Sequence, residues 1–306
     1  MKRFKQVLLA VAAAGFILAC SIASAARTTP DQASIATIVA GTLQAMTPAA
    51  PTSASRPAGI PVSFQNVGFV ISNGLAGGAT AQAVPNNPDD QNGGPWAVAP
   101  AHIEFTLNGY NLPPGHFSRI LIDIYPAQEY ASMYDGAKIS LQRLRAALLN
   151  PAAPLTNDNL PQVPYFNAAS MFVAQVKTIQ FQNGSGLRMI TQYGQAVGPV
   201  ANNGTFYHFE GLTADGKYYI VAVLPIQAPF LANDDSPAAS TPPAGIPFPG
   251  YNQSDPGAYD NYFKAVAEKM NALSNDAFSP SLTSLDGLVQ SITIHPKQAG
   301  CLAKGV

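Results

Sequence analysis

Residues 177–224, KTIQFQNGSGLRMITQYGQAVGPVANNGTFYHFEGLTADGKYYIVAVL, carry the strongest structural signal in this chain. Two strand-like segments, 177–182 and 187–193, are joined by Asn-Gly-Ser-Gly at 183–186. Two more, 205–212 and 217–224, are joined by Thr-Ala-Asp-Gly at 213–216. Glycine adopts the positive φ that tight turns require, so each pair predicts a β-hairpin. Four consecutive strands with short turns predict an antiparallel meander.

The segments around the meander predict a mixed structure. Strands are expected at 61–72, 101–107 and 118–125; in the second, Ile103, Phe105 and Leu107 alternate with polar neighbours. Helical periodicity predicts helices over 127–149, after Asp255 and over 280–288, with a last strand at 290–294. Strands and helices are segregated, which predicts the α+β class, an antiparallel sheet with helices packed on it. Helices on both faces would make an α/β/α sandwich.

Two resemblances follow from these segments. The order of a meander, a long loop at 226–255, a helix and a short closing strand resembles the Mog1/PsbP-like fold over residues 60–295. Residues 181–188, FQNGSGLR, with 211–219, GLTADGKYY, resemble a group of uncharacterised bacterial envelope lipoproteins. The first resemblance implies an α/β/α sandwich and, by analogy, an assembly or stability factor. The second implies an envelope location and brings no known activity.

The N-terminus predicts export. Three basic residues at 2, 3 and 5 precede an apolar run at 7–19, which matches a signal-peptide core and is too short to span a bilayer. Ile-Leu-Ala-Cys at 17–20 resembles the lipobox of bacterial lipoproteins. That resemblance implies a signal peptide at 1–19 and a lipid on Cys20 that anchors the protein to a membrane of the cell envelope. Ala-Ser-Ala ending at Ala25 is an alternative cleavage site, which would release a soluble secreted or periplasmic protein.

The remaining chain divides by composition. Residues 27–46 predict a short amphipathic helix, and 47–60, rich in Pro, Ala, Ser and Thr, predict a spacer. A single α+β domain is expected at 61–295, followed by a C-terminal tail at 296–306. If Cys20 is lipidated or removed, Cys301 has no partner within the chain, so no disulfide framework is expected.

Composition and motifs narrow the classes of function. Only 11% of residues are charged and the net charge is −1, so the clustered Lys and Arg that bind nucleic acid are missing. The sequence contains no HExxH, paired CxxC, GxSxG or SxxK motif, and no catalytic residue is assigned. An enzyme of an unrecognised type stays an alternative; its site would be assembled in space from His116, Asp123, or Glu104 with His102.

Binding is the expected function, through long loops and without catalysis. Aromatic rings stack on sugars or peptides, and the candidate ligand-binding residues beside Pro-rich loops are Trp96, Tyr165 and Tyr251. Calcium takes oxygen ligands, and the candidate metal ligands are the carboxylates in two polar loops, Asp89, Asp90, Asp234 and Asp235. We therefore expect an exported, lipid-anchored envelope protein that binds a small ligand or an envelope protein partner. An envelope assembly or stability factor is the alternative.

Overall fold

The computed structural model describes residues 58–295, except for 90–92, 112–114, 117–118, 154, 157, 164–167, 237–243, 253 and 256. The strands are β1 (Gly59–Phe64), β2 (Val67–Ser72), β3 (Gly78–Val84), β4 (His102–Asn108), β5 (Leu121–Pro126), β6 (Ala169–Phe181), β7 (Gly184–Gly194), β8 (Thr205–Thr213), β9 (Tyr218–Pro225) and β10 (Thr293–Ile294). The α-helices are α1 (Ala127–Met133), α2 (Asp135–Leu149), α3 (Ala258–Asn271) and α4 (Leu282–Gln290). Two short 3-10 helices lie at Pro95–Ala97 and Asn275–Ala277.

The strands form two antiparallel sheets. In the larger sheet the order is β3-β4-β5-β9-β8-β7-β6, and in the smaller it is β1-β2-β10. The predicted meander is confirmed, because β6, β7, β8 and β9 pair with one another in chain order. Strand β9 then pairs with β5, which joins the meander to the first strands of the domain. The predicted α+β class is confirmed.

Alternate residues of the central strands enter two different hydrophobic cores. Ile122 of β5 and Ile220 of β9 belong to the core that contains residues of β2, α3 and α4. Tyr219 and Val221 of β9 belong to the core that contains residues of α1 and α2. Successive side chains of a strand point to opposite faces, so each central strand contributes to both cores. The large sheet is therefore the middle layer of a sandwich with helices on either side.

Several strands differ from expectation. The single strand expected at 61–72 is a hairpin, because β1 and β2 pair across a turn at Gln65 and Asn66. Strand β1 begins at Gly59, inside the predicted spacer, since Gly59 pairs with Ser72. Strand β3 was not predicted, and β10 is shorter than the strand expected at 290–294 because α4 continues to Gln290.

The helix expected over 127–149 is interrupted. Tyr134 separates α1 from α2 and has an extended backbone, with φ −135° and ψ 119°. Its ring lies against Gly136, where an added Cβ would meet the ring carbon at 2.5 Å. The missing side chain at Gly136 therefore permits the break.

The glycines of the first hairpin have a different role from the one expected. Gly184 and Gly186 lie inside β7, and their φ angles are not positive. A Cβ at Gly186 would collide with the backbone of the neighbouring strand β8, so close approach of two strands requires these glycines. The second hairpin is as expected, with Gly216 at φ 70°.

The predicted signal peptide, the lipobox with Cys20, the cleavage site at Ala25, the helix at 27–46 and the tail at 296–306 lie outside the described residues. Within the described ranges, no helix is long and apolar enough to cross a membrane.

Candidate functional site

A cavity of about 230 Å³ opens at one end of the large sheet. It lies where β3 and β5 end and where β4 and β9 begin, beneath the turn that joins β1 to β2. The cavity is lined by Gln65, Asn66, Ala83, Val84, Ala101, His102, Ile103, Ile124, Pro126 and Tyr218. None of these lining residues is a carboxylate, a lysine or an arginine. A small group with both apolar and hydrogen-bonding parts suits this lining.

The hairpin turn over the cavity is strained. Gln65 has φ 52°, in the left-handed region, at the first central position of a two-residue turn where glycine is usual. Holding a glutamine there costs on the order of 1–3 kcal/mol. The next residue fixes the turn in place: Asn66 Nδ2 donates to the His295 carbonyl at 2.7 Å, and His295 N donates to the Asn66 carbonyl at 2.8 Å. A glutamine side chain therefore stands at the cavity rim although its left-handed backbone conformation favours glycine.

His102 is the titratable imidazole of the cavity wall. Its Nδ1 lies 2.8 Å from the Pro100 carbonyl, which only accepts, so Nδ1 carries the proton and donates. Burial lowers the pKa of His102, although the bond to Pro100 and the negative charge of Glu104 oppose that shift. The ring is therefore neutral near pH 7, and Nε2 is a hydrogen-bond acceptor.

Behind His102, on the α1 and α2 face of the sheet, lies a chain of polar and aromatic groups. The His102 ring lies 4.5 Å from the Tyr125 ring, and Tyr125 stacks on Tyr130 at 4.2 Å. The Tyr125 hydroxyl donates to Asp123 Oδ2 at 3.0 Å, while Asp123 Oδ1 has no hydrogen-bond partner among the described residues. The pKa of Asp123 is raised to about 7, mainly by burial. The hydrogen bond from Tyr125 opposes this shift, and the Glu104 carboxylate directly opposite on β4 contributes to it.

Glu104 is occupied by partners of its own. Gln82 Nε2 donates to its Oε1 at 2.7 Å, and Arg119 Nη2 lies 3.2 Å from its Oε2. Neither Glu104 nor Asp123 lines the cavity, and within the described residues no hydrogen bond joins either of them to His102. The groups considered for an assembled catalytic site thus share two neighbouring strands without converging on one open pocket.

The fourth residue considered for that site lies elsewhere. His116 Nε2 contacts the Thr205 carbonyl at 3.1 Å, at the start of β8. It is therefore not a neighbour of His102.

A second polar cluster is fully enclosed beneath α2. Glu210 accepts hydrogen bonds from Ser140 and Tyr219, from the Val163 backbone N–H at 2.6 Å, and contacts His208 Nε2 at 2.8 Å. Burial alone would raise the pKa of Glu210, but the bonds from His208, Ser140 and Tyr219 lower it below its usual value. The cluster ties α2 and the segment around Val163 to the sheet, which is a structural role.

The aromatic residues expected to bind ligand are dispersed. Trp96 lies half-buried in the 3-10 helix Pro95–Ala97, and Tyr165 lies outside the described residues. Tyr251 is 65% exposed, with its ring 5.2 Å from Phe248. Neither Trp96 nor Tyr251 lines the cavity.

The carboxylates expected to bind calcium are not assembled in the described part of the chain, where no group of three or more His, Cys, Asp or Glu side chains could hold a metal. Asp89, Asp234 and Asp235 are exposed, and Asp90 lies outside the described residues. Asp234 Oδ1 accepts from Ser236 N at 3.0 Å, and hydrogen bonds from Ser236 lower its pKa. Calcium binding stays a prediction.

The long loop at 226–255, expected to present a binding surface, is partly built into the core. Ile226, Ala228 and Phe230 are buried, and Asn202 Oδ1 accepts from the Ala228 backbone N–H at 2.8 Å. Its apolar residues have no helical or strand period, so no local pattern predicted that they would pack.

The cavity was also missed at the level of sequence. Its residues come from five separate segments and form no motif. The one local sign was the pair Gln65 and Asn66, which interrupts an apolar run. Comparison with protein-family models, with curated proteins and with solved structures found no match for this chain.

Proposed function

We propose that this chain is an exported binding protein, held at the bacterial cell envelope by a lipid on Cys20, whose α+β domain binds an uncharged group in the cavity beside His102. The observation that carries the binding half is Gln65, kept in a left-handed backbone conformation at the cavity rim. Strain of this kind persists only where the surrounding structure holds it, and it clusters at ligand sites.

The chemistry of the cavity supports an uncharged ligand. Two amides and a neutral imidazole offer both donors and acceptors, and Ile103, Ile124 and Tyr218 offer apolar surface. A charged ligand would lose its hydration without gaining an opposite charge from the lining, which is costly. The proposed site thus lies at a sheet end and a hairpin turn, in place of the long loops that composition favours.

The binding half is tested with neutral fragments of about 10–14 non-hydrogen atoms, a size that suits this cavity. The purified full chain is screened by saturation-transfer NMR, and hits are repeated on His102→Ala and on His116→Ala, the control histidine. Hits that need His102 and survive loss of His116 support the proposal. Absence of hits, or hits that are indifferent to His102, overturns it.

Gln65→Gly separates function from stability. Glycine adopts φ 52° without strain, so the variant is expected to raise the free energy of unfolding by about 1 kcal/mol. The same variant is expected to weaken fragment binding because the rim amide is lost. Urea unfolding and NMR titration measure the two effects, and lower stability or unchanged binding would contradict the assignment.

The export half is tested by the mass of the N-terminal peptide of protein recovered from native envelopes. Diacylglycerol on Cys20 is the expected result. An unmodified peptide that starts after Ala25 would instead mean a soluble exported protein.

A further inference from the structure

Strand β3 forms one edge of the large sheet, and within the described part of the chain no strand pairs with its outer side. Its sequence, Gly-Ala-Thr-Ala-Gln-Ala-Val, contains no charged residue and no proline, and it pairs with β4 from Gly78 to Val84 without a register shift. Edge strands of soluble proteins are usually blunted by charges, proline or bulges, because a regular edge pairs with any extended chain. None of these devices is present on β3.

The opposite edge of the same sheet is protected. Strand β6 has two register shifts against β7, and Gln175 between them has φ 54°. The Gln175 backbone N–H donates to Asn271 Oδ1 at 2.6 Å, and its side chain donates to the carbonyls of Met270 and Leu273. Helix α3 thus holds the bulge of β6, and a bulged edge does not accept a regular strand.

The edge strand β3 reaches the cavity. Ala83 and Val84, the last residues of β3, line it. An extended chain that paired with β3 would therefore bring a side chain to the cavity mouth. In strand addition, main-chain hydrogen bonds contribute affinity and a pocket for a side chain contributes specificity.

We infer that β3 binds an extended, uncharged peptide segment of a partner protein by strand addition, with one side chain of that segment entering the cavity. The inference rests on the proposed function and names the class of its ligand. The absence of charge on β3 and in the cavity lining favours an uncharged segment, and the nearby Glu104 carboxylate is already paired with Arg119.

A second copy of this chain fits the edge less well. Two β3 strands paired antiparallel about Ala81 would place Gly78 of one copy opposite Val84 of the other. Glycine has no side chain, so the cavity would stay unfilled. A different segment, with a side chain at that position, satisfies both the edge and the cavity.

The test selects peptides from a display library of random nine-residue sequences on the immobilised full chain. A selected peptide is then synthesised with a single N-methyl group at each position in turn, and affinities are measured by calorimetry. Only every second amide of an added strand faces its neighbour, so the expected loss, about tenfold, alternates along the peptide.

Variants locate the edge. Thr80→Lys adds a charge to β3 and is expected to weaken peptide binding, whereas Thr178→Lys makes the same change on the bulged edge β6 and is expected to have no effect. His102→Ala is expected to weaken the same peptide through the cavity.

Three results would overturn the inference. If the library yields no binder while neutral fragments still bind, strand addition by a peptide is excluded and ligand binding in the cavity is retained. The same conclusion follows if a selected peptide needs His102 for binding but its affinity neither alternates with the position of the N-methyl group nor falls in Thr80→Lys. A dimer that Thr80→Lys dissociates would show that the edge is occupied by a second copy. Loss of fragment binding altogether would instead refute the proposed function.

Discussion

Replacing Asp123 by asparagine is expected to remove a pH dependence from the stability of this protein. Asp123 is 3% exposed, and its pKa is raised from 3.8 to about 7, mainly by burial. The folded protein thus binds the proton of the Asp123 carboxyl group more tightly than the unfolded chain does. The stabilisation is complete below about pH 4 and is lost as the pH rises through about 7.

The magnitude follows from the size of the shift. About three pKa units correspond to about 4 kcal/mol, since each unit is worth about 1.4 kcal/mol. Between pH 5 and pH 8 the parent is expected to lose about 2.5 kcal/mol that the asparagine variant does not lose. The asparagine NH2 group is also left buried without a hydrogen-bond partner, which costs about 1–3 kcal/mol. This cost is the same at every pH and therefore does not change the pH dependence of the difference.

The assay is urea unfolding of parent and Asp123→Asn at several pH values from 5 to 8. The difference in unfolding free energy between the two proteins cancels the titration of all other groups. Asp260→Asn, at an exposed position of α3, is the control for removing one carboxylate. Parallel pH profiles for parent and Asp123→Asn would show that Asp123 does not titrate with a raised pKa in the folded protein, and a difference of opposite sign would show that its pKa is lowered.

Two further predictions concern the packing of the sheet. Gly186→Ala is expected to lower the unfolding free energy by about 1–3 kcal/mol, because the added Cβ collides with the backbone of β8. Gly78→Ala is the control, since nothing lies within 4 Å of an added Cβ there. Equal losses of unfolding free energy in the two variants would contradict the explanation. Asp286→Asn is expected to lower the unfolding free energy by about 3–5 kcal/mol, because it leaves the Arg188 guanidinium buried without its counter-charge. Arg188 is 2% exposed, and its Nε lies 3.7 Å from Asp286 Oδ1. Lys177→Ala removes the half-exposed partner of the same carboxylate and is expected to lower the unfolding free energy by less than about 1 kcal/mol. Urea unfolding compares the two variants, and a larger loss in Lys177→Ala than in Asp286→Asn would contradict this explanation.

Elements with strong local signals were predictable. The meander follows from alternation and turn residues within 177–224, and its four strands pair in chain order. The periodicity of 258–271 places Tyr262, Val266 and Met270 on one face, and all three are buried. These patterns depend on neighbours along the chain, so the sequence suffices to predict them.

Elements whose stability comes from distant contacts were not predictable. Strand β3 consists mostly of Gly and Ala, which have low β propensity, and it is a strand because β4 pairs with it over its whole length. The break at Tyr134 depends likewise on how its ring lies against Gly136.

The residues of the candidate site were likewise predictable only in part. His102, Glu104 and Asp123 were recognisable as polar residues on two predicted strands, because alternation separates the polar from the apolar positions within each strand. That Glu104 and Asp123 lie directly opposite each other depends on the register of β4 and β5. No local pattern specifies that register.

The class of fold, the meander and the buried faces of the helices follow from the sequence, because hydrophobic periodicity and turn chemistry act over a few residues. The cavity lined by Gln65, Val84, His102 and Tyr218, and the position of β3 at the edge of the sheet beside it, emerge only in the folded structure. Strand order and register are fixed by pairing between residues far apart in the chain, and both features result from that pairing.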